Sequence, residues 1–211
     1  MPKKTRSTEE VDAVREKILA CAFEILVKNG YEGLSMAKVG ARMKMTAANL
    51  YNYYANKDEL LIAIHKKAYA MLYDQLGDAV QKAKTPQARF QKLTQAFVTF
   101  GTQNINIYDI MFNRRIRQHS DYIGTPQEAL SDDEFRSSLR VRAFAEGVIQ
   151  EVCDAKEDGR APDARFLAIQ ATSILHGVIS LYNSGVLAQI TADPEATLKQ
   201  IVENTTRNIT G

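Results

Sequence analysis

Between Thr46 and Lys57 the chain reads TAANLYNYYANK, and most of these side chains can meet a nucleic acid. Asn49 and Asn52 each carry a donor and an acceptor in a fork that matches the major-groove edge of adenine. The methyl groups of Thr46 and Ala47 suit the methyl of thymine. Tyr51 and Tyr53 can donate their hydroxyls to phosphate oxygens, and Lys57 adds a cation. Upstream, Ser35 stands at a predicted helix start, where a hydroxyl and free backbone N–H groups favour a phosphate. Phosphate contacts fix register, while base-edge contacts select sequence. The opposing reading makes YNYY plain core. Tyr51, Tyr53 and Tyr54 spread around a helix, however, so all three do not fit one small core, and double-stranded DNA is the favoured partner.

Short helices must position these groups. Ser7 and Glu10 have the spacing of a capping box, and Val11, Val14, Ile18, Cys21 and Ile25 recur at three and four to give a first helix with one buried stripe. Gly30 follows as a C′ residue. Ser35 starts a second helix through Arg42, and Thr46 starts a third to about Tyr53, with Val39 and Leu50 meeting in a small core. Asn56 and Glu59 are spaced to cap a fourth helix reaching Lys84. Two helices joined by a tight turn, the second presenting its N-terminal residues, form a helix-turn-helix reader of the major groove.

The segment resembles the TetR (tetracycline-repressor-like) family. The resemblance is carried by Gly30-Tyr31, Ser35, Val39, Leu50-Tyr51, Tyr53-Tyr54, Asn56-Lys57 and Leu60-Leu61. It implies base-reading roles for Ala47, Ala48, Asn49, Tyr51 and Asn52, and phosphate contacts for Ser35, Tyr51, Tyr53 and Lys57. Two positions depart from the family pattern. Lys44 stands where glycine is usual in the turn, at a cost of roughly 1 kcal/mol if the backbone is left-handed there. Gly40 stands where alanine is usual, which lowers helix propensity but permits close helix crossing.

Prolines punctuate the remainder. Thr85-Pro86 and Asp193-Pro194 read as N-cap followed by N1, and Pro126 and Pro162 also mark boundaries. Further helices are expected at about 86–103, 105–118, 127–158, 162–188 and 194–209. The reading is all-α with about nine helices: a head over 1–57 and an effector-binding and dimerisation body over 58–211. The stretch from His119 to Asp133 is the least regular and reads as a mobile loop. The arm Met1 to Arg6 is polar and basic, and reads as disordered when free.

The body resembles the same family more loosely. Tyr108-Asp109-Ile110-Met111-Phe112 looks like a segment of one C-terminal subgroup. Leu175-His176-Gly177 looks like that subgroup's Trp-His-Gly signature with leucine in place of tryptophan. Candidate pocket residues are Phe97, Phe100, Gln103, Tyr108, Met111, Phe112, Phe144, Val148, His176 and Tyr182, which suit a largely apolar effector. His176 needs a partner if buried. Arg114, Arg115 and Arg117 read as a solvated helix-end cap, with an anionic effector as the lesser alternative. The helix over 162–188 has two apolar stripes, one with Phe166, Ile169, Ser173 and Gly177, the other with Leu167, Ala171, Leu175, Val178 and Tyr182. The first stripe, with Leu198, Ile201, Val202 and Thr205 of the last helix, is expected to form a homodimer interface of four helices.

Bulk composition fits this division. Net charge is +2, but ten basic residues through Lys57 stand against six acidic ones, a head of +4 on a body of −2. Cys21 and Cys153 fall in or near apolar patterns and read as buried thiols, so no disulfide framework is expected. His65, His119 and His176 show no metal-ligand spacing, and no cofactor is expected. No catalytic triad, phosphate loop or paired-carboxylate motif appears. No signal peptide is recognised, and no run approaches ~18 apolar residues, so a cytoplasmic protein with no membrane partner is expected. Together these features imply a ligand-responsive repressor that grips a palindromic operator as a dimer. The alternatives are a helical small-molecule-binding protein and a ligand-independent regulator or activator.

Overall fold

A computed structural model describes residues 7–114, 116–155 and 163–210. Ten α-helices lie in this order: α1 Thr8–Gly33, α2 Met36–Arg42, α3 Ala47–Tyr51, α4 Lys57–Gln81, α5 Pro86–Gln103, α6 Ile105–Tyr108, α7 Glu128–Asp154, α8 Ala164–Asn183, α9 Leu187–Ile190 and α10 Pro194–Thr210. The expectations for Met1 to Arg6, Arg115 and Pro162 fall outside the described residues.

The helix starts are where local chemistry puts them. Ser7 and Glu10 form the reciprocal capping box. Ser35, Thr46 and Thr85 each accept from the backbone N–H three residues on at 3.2 Å, and Asn56 accepts from Glu59 at 2.8 Å. Each cap satisfies a donor that the first turn leaves open.

The ends and interruptions differ from expectation. At Gly30 the backbone turns to φ 68°, but α1 resumes on a new axis to Gly33. The helix expected over 105–118 stops being α after Tyr108. It continues as a π-helical turn, Asp109–Asn113, and becomes extended at Arg114. The helix expected to reach 188 ends at Asn183, and Gly185 at φ 76° turns the chain into the short α9. That accounts for ten α-helices among the described residues where about nine helices were expected. The stretch after His119, read as a mobile loop, includes a 3-10 turn, His119–Tyr122, whose His119 Nδ1 lies 3.0 Å from Ser131 Oγ of α7.

One apolar core runs through head and body. In the head, Ile18, Ala22, Ile25, Leu26, Val39 and Leu50 are buried beneath Leu60 and Ile64 of α4. In the body, α4 packs on α5 and α7, and α8 and α10 cover α5. Gly101 lets α5 approach α8 closely: a Cβ there would lie 2.8 Å from Ile179. Cys21 and Cys153 are both buried, as expected.

Candidate nucleic-acid interface and body cavity

The turn between α2 and α3 is narrow. Met45 N–H donates to the Gly40 carbonyl at 2.9 Å, and a Cβ on Gly40 would sit 3.1 Å from the Met45 carbonyl oxygen. The close neighbour of Gly40 is thus the turn backbone, while Leu50 of α3 would lie at an ordinary 3.9 Å from such a Cβ. Lys44 takes the left-handed conformation at φ 53°, alone among described non-glycine residues. The turn therefore keeps the geometry glycine would favour and accepts the strain.

On α3, Thr46, Ala48, Tyr51 and Asn52 are exposed and Asn49 is half-buried. Tyr51 has 49% of its surface open. Leu50 is fully buried on the opposite side. The expectation for the Ala47 side chain lies outside the described positions. Tyr53 departs from its expected role. It is only 5% exposed and Tyr54 2%, so both belong to the head's core and a phosphate finds little of Tyr53 to touch.

Arg15, which the sequence did not single out, holds this surface in place. Its guanidinium donates to the Tyr53 carbonyl and, at 3.1 Å, to Glu59, while lying 4.4 Å over the Tyr54 ring. Tyr54 donates its hydroxyl back to the Arg15 carbonyl at 3.3 Å, and burial pushes that phenol up to about 12. One arginine on α1 thereby fixes the segment joining α3 to α4. A signal existed in the register of Val11 and Ile18: Arg15 follows Val11 by four residues and flanks the buried stripe.

Lys57 caps no carboxylate. Its Nζ lies 4.1 Å over the Tyr31 ring, which Arg114 covers at 5.0 Å. Arg114 also donates to Glu32 at 2.8 Å and to Asp109 at 2.6 Å, and Arg117 to Asp58 at 3.0 Å. Asn106 donates to the Val27 carbonyl at 2.9 Å. These arginines are neither a free helix cap nor an open anion site. They join the body to α1 and α4.

A cavity of about 340 Å³ opens between α4, α5, α7 and α8. Its floor is apolar, with Leu72, Leu76, Phe90, Leu93 and Leu175, while Arg142, Glu146, Thr172 and Ser173 lie toward the exposed side. Of the expected pocket residues, Phe97 and Phe112 line it. Phe100, Tyr108 and Val148 are core, Phe144 packs on Tyr73 at 5.3 Å, and Met111 lies half-buried at the core's edge. Gln103 and Tyr182 line shallow depressions elsewhere. His176 has found a protein partner, since its Nδ1 lies 2.9 Å from the Tyr108 hydroxyl. Burial raises the Tyr108 phenol far above its ordinary value, so it stays protonated and either donates to Nδ1 or accepts from it, according to the His176 tautomer.

The two stripes of α8 separate cleanly. Leu167, Ala171, Leu175 and Val178 are buried against the body. Phe166 is 61% exposed and Ile169 56%; Ser173 is exposed, Gly177 half-buried, and Ile174 and Leu181 extend the open apolar face. The α10 residues differ from expectation. Val202 and Thr205 are buried within the chain, and Leu198 and Ile201 are half-buried, because α10 lies on α5 and α8. Neighbouring Thr206 meets Thr94 of α5 at 3.1 Å. Against the expectation for membrane spans, α8 alone among the described residues has the length and apolar composition to cross one, with a third of that window buried. Residues on both of its faces supply that hydropathy.

Comparison with known proteins accounts for this architecture. Residues 18–64 match the bacterial regulatory proteins of the tetR family, and residues 90–205 match a tetracyclin repressor-like C-terminal domain. The transcriptional activator FasR of Mycolicibacterium smegmatis is 25% identical over 118 residues, which cover 56% of this chain and 51% of FasR. The chain spans about half the length of the curated relatives it matches. A Rhodococcus sp. RHA1 protein of unknown function shares the fold over all of both chains, with a TM-score of 0.76 and 20% identity. FadR of Bacillus subtilis, solved in complex with stearoyl-CoA, has a TM-score of 0.66 at 14% identity, over 90% of this chain and 97% of its own. The second family match alone covers more than half of the sequence, and the chain belongs to the tetR family of DNA-binding transcriptional regulators, which are not enzymes.

Proposed function

We propose that the protein is a ligand-responsive repressor that binds a palindromic operator as a homodimer and releases it when a small molecule fills the body cavity. The observation that carries this reading is the pairing of an exposed α3 surface with a largely apolar, partly open cavity lined by α4, α5, α7 and α8. Thr46, Ala47, Ala48, Asn49, Tyr51 and Asn52 read base edges, and Ser35, Tyr51 and Lys57 hold phosphates. The head comprises 1–57 and the body 58–211. Phe166, Ile169, Ser173 and Gly177 of α8 meet the partner subunit, supported by the exposure of the first three, and Ile169 and Ser173 also line the cavity. Half-sites then lie roughly 34–36 Å apart, or a multiple. The stearoyl-CoA bound by FadR supports a largely apolar effector. Leu175-His176-Gly177 supports the Trp-His-Gly subgroup, and a cytoplasmic location follows from the DNA partner.

Operator binding by the purified protein, measured by fluorescence anisotropy across a salt series, tests this. Upstream DNA is preferred over random duplex, and Tyr51→Ala or Lys57→Ala weakens binding while the fold stays intact. Lys57→Ala also lowers the salt slope by about one unit. Equal binding to random duplex refutes the reading. FasR, an activator, favours a second reading in which the same operator contact raises transcription. Transcription in vitro from the bound promoter separates the two.

A further inference from the structure

Tyr31 stands where the head meets the body. Gly30 turns the backbone to φ 68° just before it, so the last turn of α1 leaves the helix axis. The ring is half-buried and packs against the core. Lys57, the first residue of α4, has its Nζ 4.1 Å from the ring centroid. Arg114, extended after the π-helical turn, has its guanidinium 5.0 Å from the same centroid. Among the described residues, Lys57 Nζ has no carboxylate or carbonyl partner. The acids next in sequence to this pair are already engaged. Glu32 accepts from Arg114 at 2.8 Å and Asp58 from Arg117 at 3.0 Å. An aromatic face restrains an ammonium without neutralising it, whereas a carboxylate would cancel the charge that a phosphate needs. A lysine stem otherwise moves among many rotamers, and fixing it beforehand lowers the cost of meeting a phosphate.

We infer that Tyr31 is a positioning residue for DNA binding: its ring presets the Lys57 ammonium, still charged, for a backbone phosphate. This rests on reading Lys57 as a phosphate contact.

Anisotropy titrations of the full-length protein test this, at one low ionic strength, on fluorescein-labelled duplexes of the gene's own upstream region and of random sequence. Lys57→Ala weakens binding to both about tenfold, the loss of one charge-assisted contact. Tyr31→Leu keeps apolar bulk but no aromatic face, and weakens both about threefold, as for one exposed cation–π contact. Tyr31→Phe keeps the face and binds as the parent protein does. In a Lys57→Ala background Tyr31→Leu has no further effect, because nothing remains to be positioned. An undiminished loss in that background marks a merely structural role for the ring. Weaker binding by Tyr31→Phe marks a contact of the hydroxyl itself. Either result, or unchanged binding by Tyr31→Leu beside a weakened Lys57→Ala, overturns the inference and leaves the Lys57 reading standing. Unchanged binding by Lys57→Ala overturns that reading, and the inference with it.

Discussion

Replacing Lys44 with Gly should stabilise the protein, whereas replacing it with Ala should not. Lys44 sits at φ 53° in the turn between α2 and α3. A left-handed backbone costs a residue with a Cβ about 1–2 kcal/mol. Glycine removes that cost but gains freedom in the unfolded chain, which returns about 0.4–1 kcal/mol. The net gain is about 0.5–1 kcal/mol. Both variants remove the same charge, so their difference isolates the backbone. At an ordinary helical position the order is reversed, with glycine worse than alanine by up to ~1 kcal/mol. Thermal unfolding reads the difference as a Tm higher by about 2–4 °C per kcal/mol for a chain of this size. A Lys44→Gly protein no more stable than Lys44→Ala would refute the left-handed turn, and with it the close approach of Met45 to Gly40.

Two further outcomes follow from buried phenols. Tyr108→Phe leaves His176 Nδ1 without its hydrogen-bond partner and costs about 1–2 kcal/mol in urea unfolding. A double-mutant cycle with His176→Ala should return most of that as coupling, and its absence would remove the hydrogen bond from the account. Burial lifts Tyr54, Tyr69 and Tyr122 from an ordinary 10 to about 12. The folded values lie above the unfolded ones, so this stability is complete below pH 10 and is lost as pH rises through about 12. Melting temperatures measured from neutral to strongly alkaline pH should hold to about 10 and then fall, by up to about 1.4 kcal/mol per unit for each group. A protein indifferent to that range would contradict the burial of these rings.

The caps were legible because they are local. Ser7, Ser35, Thr46, Asn56 and Thr85 each answer a donor three residues away, and no tertiary contact is needed to find them. The tyrosines were harder. Spacing separates Tyr51 from Tyr53 and Tyr54, but only the third dimension shows that α1 closes over the last two through Arg15. The pocket was least legible. Leu72, Leu76, Phe90 and Leu93 form its floor from two helices whose stripes look like any other core. Phe97 and Phe112 were recognisable as aromatic, yet so were Phe100 and Phe144, which pack elsewhere. The α10 stripe was correctly apolar on one side, but sequence cannot say whether that side faces the same chain or another. Thr94 and Thr206, far apart in sequence, meet and hold part of α10 against α5 of the same chain.

The tie between body and head has a consequence for how affinity should be measured. Tyr31 is gripped by two cations, and Arg114–Glu32 and Arg117–Asp58 bridge the same junction near the surface. Added salt screens such pairs as readily as it competes for phosphates. A salt series on operator binding thus loosens the handle together with the grip. The steepness of that series counts junction charges as well as phosphates, and the number of DNA contacts inferred from it will be too high unless the junction is first neutralised.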